Sequence, residues 1–203
     1  GRHVDVPGQR HPLLAGVARH PHLAVVGAGP DPALLRPRRR GIAGSPIWLG
    51  PVRLTTYREP CGVILVIASS NYPLFLVGVQ VLQSVVSGNA VLVKPGRDTA
   101  PVAELLLRLL AEAGLPEGLV RVLPESVEAA EGAIEAGVDK VFLTGSVASG
   151  SAVLARLARS VTPSAMELSG CDAVFVREDA DLRVVARALA FGLRFNRSAT
   201  CIA

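Results

Sequence analysis

Hydrophobic positions divide the chain near residue 60. Residues 62–69 form an unbroken apolar run rich in Val and Ile, as expected of a strand buried on both faces. An apolar helix is predicted over 74–87, stopped at Gly88 and Asn89, and a second strand over 90–93 leads into Lys94 and Pro95. Thr99 is placed to cap a helix over 99–113 that has Pro101 in its first turn and Gly114 at its end. There follow a strand over 119–123, a helix over 126–136 ended by Gly137, a strand over 140–144 and a helix from Ser146 to about 160. Short strands at 165–168 and 173–176 and a helix over 179–195 precede an irregular turn at 196–201. Strand and helix alternate for five rounds. That alternation predicts an α/β fold, a Rossmann-like parallel sheet with helices on both faces.

Residues 1–47 lack this order. They are rich in Pro, Gly, Arg and His and predict only an irregular segment with a short helix near 13–19, whereas 47–58 alternates enough for one or two antiparallel strands. Leu23 to Pro30 imitates a strand running into a Gly-x-Gly turn, but Pro30 and Pro32 break the helix that a dinucleotide fingerprint requires. The run Arg36-Pro37-Arg38-Arg39-Arg40 reads as a solvated loop, because no aromatic residues interleave it.

Composition narrows the class. Half the residues are hydrophobic and 19% are charged, enough apolar material for a packed core. The longest apolar stretches fall short of a bilayer span, so no membrane segment is expected. The net charge of +4 comes almost wholly from Arg, with Lys94 and Lys140 the two lysines, and with aromatic content of 4% no nucleic-acid partner is expected. Cys61, Cys171 and Cys201 are too few and too widely spaced for a disulfide framework or a zinc site, and imply a reducing, cytoplasmic compartment.

In parallel sheets ligands bind beyond the carboxyl ends of the strands. Asn71, Lys94, Ser146 and Glu167 all fall there. Asn71 either caps the next helix or offers its amide to a developing oxyanion. Lys94 is either an ordinary strand-end charge or a cation for a nucleotide's ribose or phosphate. Thr144-Gly145-Ser146, with Gly150 one turn on, joins strand to helix; it is either a common helix start or a seat for a pyrophosphate. Glu167 ends an apolar strand. It is either an edge residue facing solvent or a buried carboxylate with a raised pKa, suited to general-base work. Cys201, in a polar irregular turn, is either structural or a nucleophile able to form a thiohemiacetal with an aldehyde. Cys61 and Cys171 lack a comparable setting.

Taken in order, these pieces resemble the aldehyde dehydrogenase superfamily. The resemblance runs from about Tyr57 to Cys201 through Tyr57-Arg58-Glu59-Pro60-Cys61-Gly62-Val63, Asn71-Tyr72-Pro73, Ser87-Gly88-Asn89-Ala90-Val91-Leu92-Val93-Lys94-Pro95 and Ala113-Gly114-Leu115-Pro116. It continues through Phe142-Leu143-Thr144-Gly145-Ser146, Glu167-Leu168-Ser169-Gly170 and Phe195-Asn196. Each segment is moderately specific, and the ordered set is highly specific. It implies a division into an irregular segment at 1–47, strands of an oligomerisation or linking region at 48–59, an NAD(P)-binding domain at 60–178, and the start of a catalytic domain at 179–203. It also implies a fragment that stops two residues past the nucleophile, inactive by itself, whose full-length parent is a homo-oligomer acting on a small-molecule aldehyde.

The resemblance assigns roles. Cys201 would attack the aldehyde, Asn71 and the Cys201 backbone N–H would form the oxyanion hole, and Glu167 would activate water to hydrolyse the thioester left after hydride transfer to the nicotinamide. Lys94 would contact the adenosine ribose or its phosphate, and Gly145 and Ser146 would hold the pyrophosphate. Backbone groups of Ala68, Ser69 and Ser70 would line the NAD or NADP, and Leu168 would lie near the nicotinamide. Three departures stand out. Ser70 replaces a bulky aromatic, Ser198-Ala199 replaces the usual Gly-Gln before the nucleophile, and Cys171 replaces a lysine. A fourth bears on cofactor choice: Arg97 stands where an acidic residue often binds both ribose hydroxyls, which implies tolerance of, or preference for, NADP. A CoA-acylating relative of the same fold generally lacks the glutamate, so Glu167 favours hydrolysis. A catalytically inactive nucleotide-binding relative is the third reading.

Overall fold

The computed structural model describes residues 38–41, 53–56, 58–170, 173–198 and 200. The expected helix at 13–19, the glycine pattern at 23–30, and Cys171 and Cys201 lie outside these residues.

Five strands make one parallel sheet: β3 (Val63–Ile67), β4 (Ala90–Lys94), β5 (Val120–Val122), β6 (Lys140–Thr144) and β7 (Ser164–Glu167), in the spatial order β5-β4-β3-β6-β7. Separate from it, β1 (Arg38–Gly41) pairs antiparallel with β2 (Arg53–Thr56). Five helices follow in order: α1 (Phe75–Val86), α2 (Ala100–Glu112), α3 (Val127–Glu135), α4 (Val147–Leu157) and α5 (Leu182–Arg194). A 3₁₀ turn at Phe195–Ser198 extends α5.

Alternation along β3 explains its unbroken apolar sequence. Val63, Leu65 and Ile67 pack with Ala130, Ala133 and Ile134 of α3 and Leu157 of α4. Ile64 and Val66 point the other way, into Val77, Val81 and Val85 of α1 and Ala103 of α2. With helices on both faces there is no polar side, as a doubly wound sheet requires. The chain enters at β3 in the middle, winds outward to β5, then returns to lay β6 against β3 on its other side. The winding therefore reverses between β3 and β6, and a crevice opens at such a point beyond the strand ends.

The amino edge is tied by two side chains. Asn89, buried, accepts from the backbone N–H groups of Cys61 (2.6 Å) and Gly62 (3.0 Å) and donates to the Ser84 carbonyl. Asp139 accepts from the Val63 N–H at 2.7 Å, while its own N–H donates to the Val63 carbonyl. Between them Gly62 adopts φ +120°, and an added Cβ would fall on the Asp139 carboxylate. Gly62→Ala is therefore expected to cost about 2–4 kcal/mol through backbone strain and crowding. Urea unfolding would show it as a lower midpoint at unchanged slope.

Three local expectations are corrected. Residues 173–176 are exposed and join no strand, because among the described residues the sheet ends at β7. Arg38–Gly41 forms a strand where a loop was expected: backbone pairing with β2 needs no apolar side chains. Thr99 stands at the N-cap of α2 without capping it; its hydroxyl donates to the Gly96 carbonyl at 2.9 Å. Ser126 and Ser146 do cap α3 and α4, accepting from the N–H groups of Ala129 and Ser149. Among the described residues no helix is long and apolar enough to cross a membrane.

Candidate active site

The carboxyl ends of β3, β4, β6 and β7 bring most of the candidate residues to one edge. After β3 the chain turns through Ala68, Ser69 and Ser70, whose exposure increases outward from the buried Ala68. The Ala68 N–H donates to the Lys94 carbonyl at 3.0 Å, extending the β3–β4 ladder into the loop. Asn71 does not cap α1, whose first residue is Phe75 and whose N-cap has no side-chain bond. Instead its side-chain oxygen accepts from the Ser69 hydroxyl (2.7 Å) and the Tyr72 N–H (3.1 Å). Both bonds fix the amide's orientation, as an oxyanion donor would need.

The loop after β4 interlocks with this one. A Cβ on Gly96 would lie 2.6–2.8 Å from backbone atoms of Ser69 and Ser70, so only glycine lets the two loops touch. Arg97, next in line, is exposed. Burial pulls the Lys94 ammonium below the ordinary lysine pKa, and the Glu125 carboxylate partly opposes this.

On the β6 side, Gly145 donates its N–H to the Glu167 carbonyl at 3.0 Å, so that donor is already engaged. Ser146 caps α4. Leu168 packs against Gly150 in α4, where an added Cβ would meet its Cδ2 at 2.6 Å. Glu167 ends the edge strand β7 and is exposed. The solvent-facing alternative for its side chain thus holds, because β7 is the edge of the sheet among the described residues.

A mostly apolar cavity of about 380 Å³ lies between α3 and α4 at this edge, lined by Ile67, Lys94, Ala130, Ile134, Leu143 and Val153 among others. Its size and lining suit a planar base. Arg156 pairs with Glu131 and Glu135, bridging α4 to α3 beside it. Lys94 apart, sequence reasoning did not single out these lining residues, since their spacing also describes ordinary core faces of a strand or helix. A cavity of similar volume lined by Cys61, Gln80, Lys140 and Phe142 sits at the amino edge, away from every candidate.

The turn that leads to residue 201 reaches the same place. Tyr72 Oη and Thr200 Oγ1 lie 3.0 Å apart, and the Asn196 side-chain amide donates to the Asn71 carbonyl at 3.4 Å. Partners separated by 128 and 125 residues meet here.

Comparison with known proteins bears on the family and the fold. The model of the aldehyde dehydrogenase family matches residues 40–203. The chain belongs to the aldehyde dehydrogenase family. It is 37% identical over 166 residues to a 4,4′-diapolycopene aldehyde oxidase from Methylomonas sp., covering 81% of this chain and 31% of that protein. It is 35% identical over 150 residues to a dimeric, NADP-preferring aldehyde dehydrogenase from Rattus norvegicus, covering 74% and 33%. A solved Mycobacterium tuberculosis aldehyde dehydrogenase complexed with NAD+ superposes with a TM-score of 0.71 at 30% identity, covering 80% of this chain and 33% of that one. The chain thus spans about a third of the length of these relatives.

Proposed function

We propose that this chain carries the cofactor site and the nucleophile turn of an enzyme that oxidises an aldehyde to a carboxylic acid with NAD or NADP. The observation that carries this reading is the contact of Asn196 and Thr200 with the Asn71–Tyr72 loop. These contacts hold Asn196 and Thr200 beside the Asn71–Tyr72 loop, and Cys201 follows Thr200 in the sequence.

The cavity between α3 and α4 is large enough for the adenine end of the cofactor, and Lys94 at its margin supplies a cation for the adenosine ribose. Bound NAD(P)+ would accept the hydride lost when the thiohemiacetal becomes a thioester. The chain's own residues perform the rest. The Cys201 thiolate attacks the carbonyl carbon, and the Asn71 amide and the Cys201 N–H stabilise the oxyanion that forms. Glu167 takes a proton from the water that attacks the resulting thioester, releasing the acid and the thiolate. The exposed position of Glu167 leaves it open to water.

Differential alkylation tests the nucleophile. In the full-length protein Cys201 should react with iodoacetamide several-fold faster than Cys61 and Cys171, because a nucleophilic cysteine is activated as the thiolate. Equal rates at all three cysteines would favour an inactive nucleotide-binding relative.

A further inference from the structure

Position 97, where a carboxylate would bind ribose hydroxyls, is Arg, yet the structure puts a carboxylate against the same turn from elsewhere in the sequence. Glu125 lies between β5 and α3. Its side chain accepts the N–H groups of Asp98 (2.8 Å), Thr99 (2.8 Å) and Ala100 (2.6 Å). These are the donors at the amino end of α2, which Thr99 leaves unserved. Asp98 adopts a left-handed φ of 58° that turns its N–H toward Glu125. The Ala100 and Asp98 N–H groups, foremost among several contributions, hold the Glu125 carboxyl below the usual carboxylate range, so it stays charged at neutral pH. Its charge also reaches Lys94.

A helix amino end with free N–H groups is a natural phosphate receptor. Here that receptor is filled by an anion belonging to the protein. A phosphate on the ribose 2′-oxygen would approach Lys94 and meet Glu125 as well, and like charges at close range disfavour binding. A ribose 2′-hydroxyl would meet no such repulsion.

We propose that Glu125 is a cofactor-specificity residue that lowers affinity for 2′-phosphorylated nucleotides and opposes the attraction of Arg97. This inference rests on the reading that Lys94 holds the adenosine ribose. Arg97 draws the 2′-phosphate from the exposed side of the turn, Glu125 rejects it from the α2 side, and their balance sets the ratio of NADP to NAD affinity.

Equilibrium binding to the full chain tests this with four probes: NAD, NADP, AMP and 2′,5′-ADP. Glu125→Gln keeps the shape and one carbonyl acceptor while removing the charge. It should raise the NADP-to-NAD affinity ratio about tenfold, with the 2′,5′-ADP-to-AMP ratio moving in parallel, and the shift should shrink at high ionic strength. Arg97→Ala should move both ratios the other way. If Glu125→Gln weakens all four probes equally, or leaves the ratios unchanged, Glu125 only caps α2 and the specificity role is lost. Should unaltered protein bind none of the four, the ribose assignment of Lys94 falls, and this inference falls with it. Thermal unfolding of both variants separates a ratio change from a general loss of fold.

Discussion

Glu167→Gln should leave acyl-enzyme formation largely intact while slowing its hydrolysis about 10²–10⁴-fold, the range that a positioned general base contributes. The amide has nearly the same shape as the carboxylate but cannot accept the proton of the attacking water. A burst of NADH or NADPH followed by a slow steady state is the expected signature in the full-length protein. The placement of Glu167 supports the choice of variant: its backbone carbonyl binds the Gly145 N–H whatever its side chain, so the substitution should not disturb the β6–β7 edge. An unchanged steady-state rate would remove Glu167 from the mechanism. Loss of the burst itself would point to an earlier step.

Gly96→Ala is expected to damage cofactor binding although residue 96 is not itself a proposed contact. Its φ is not in the left-handed region, so the cost is space alone. The methyl would stand 2.6–2.8 Å from the Ser69 carbonyl and the Ser70 nitrogen, which are main-chain atoms unable to rotate aside. One of the two loops has to move. Overpacking of this kind costs about 1–3 kcal/mol, and the displaced segment would include Ser69, whose hydroxyl orients Asn71. Calorimetric titration should show NAD affinity reduced tenfold or more, alongside a lower unfolding midpoint. Wild-type affinity in Gly96→Ala would mean that the loops after β3 and β4 can separate without consequence. Gly78, by contrast, has open space around its missing Cβ, and Gly78→Ala in α1 serves as the matched control.

Much of this was legible from residue order because it depends on neighbours along the chain. The unbroken apolar run at 62–69 could only be a strand covered on both faces, and β3 is one. The serines at 126 and 146 stand before helical repeats and cap them, since a cap needs only the three residues that follow. The candidate positions after each strand followed from the alternation itself, because parallel strands all point their carboxyl ends the same way.

The rest depended on contacts between distant segments, which no local pattern encodes. Thr99 looked like the cap of α2, but Glu125, from the next loop but one, took the backbone donors first. Residues 173–176 have the composition of a strand yet join none among the described residues. The sequence left Glu167 either edge-exposed or buried, and the fold makes it exposed, because burial is a property of what packs outside the sheet edge. Tyr72 meets Thr200 across most of the chain. Local order thus determined which elements form and where their ends fall, because helix and strand hydrogen bonding is set by short-range geometry. The fold alone decided which ends meet and which charges share a turn, because those free energies arise only when remote segments are packed together.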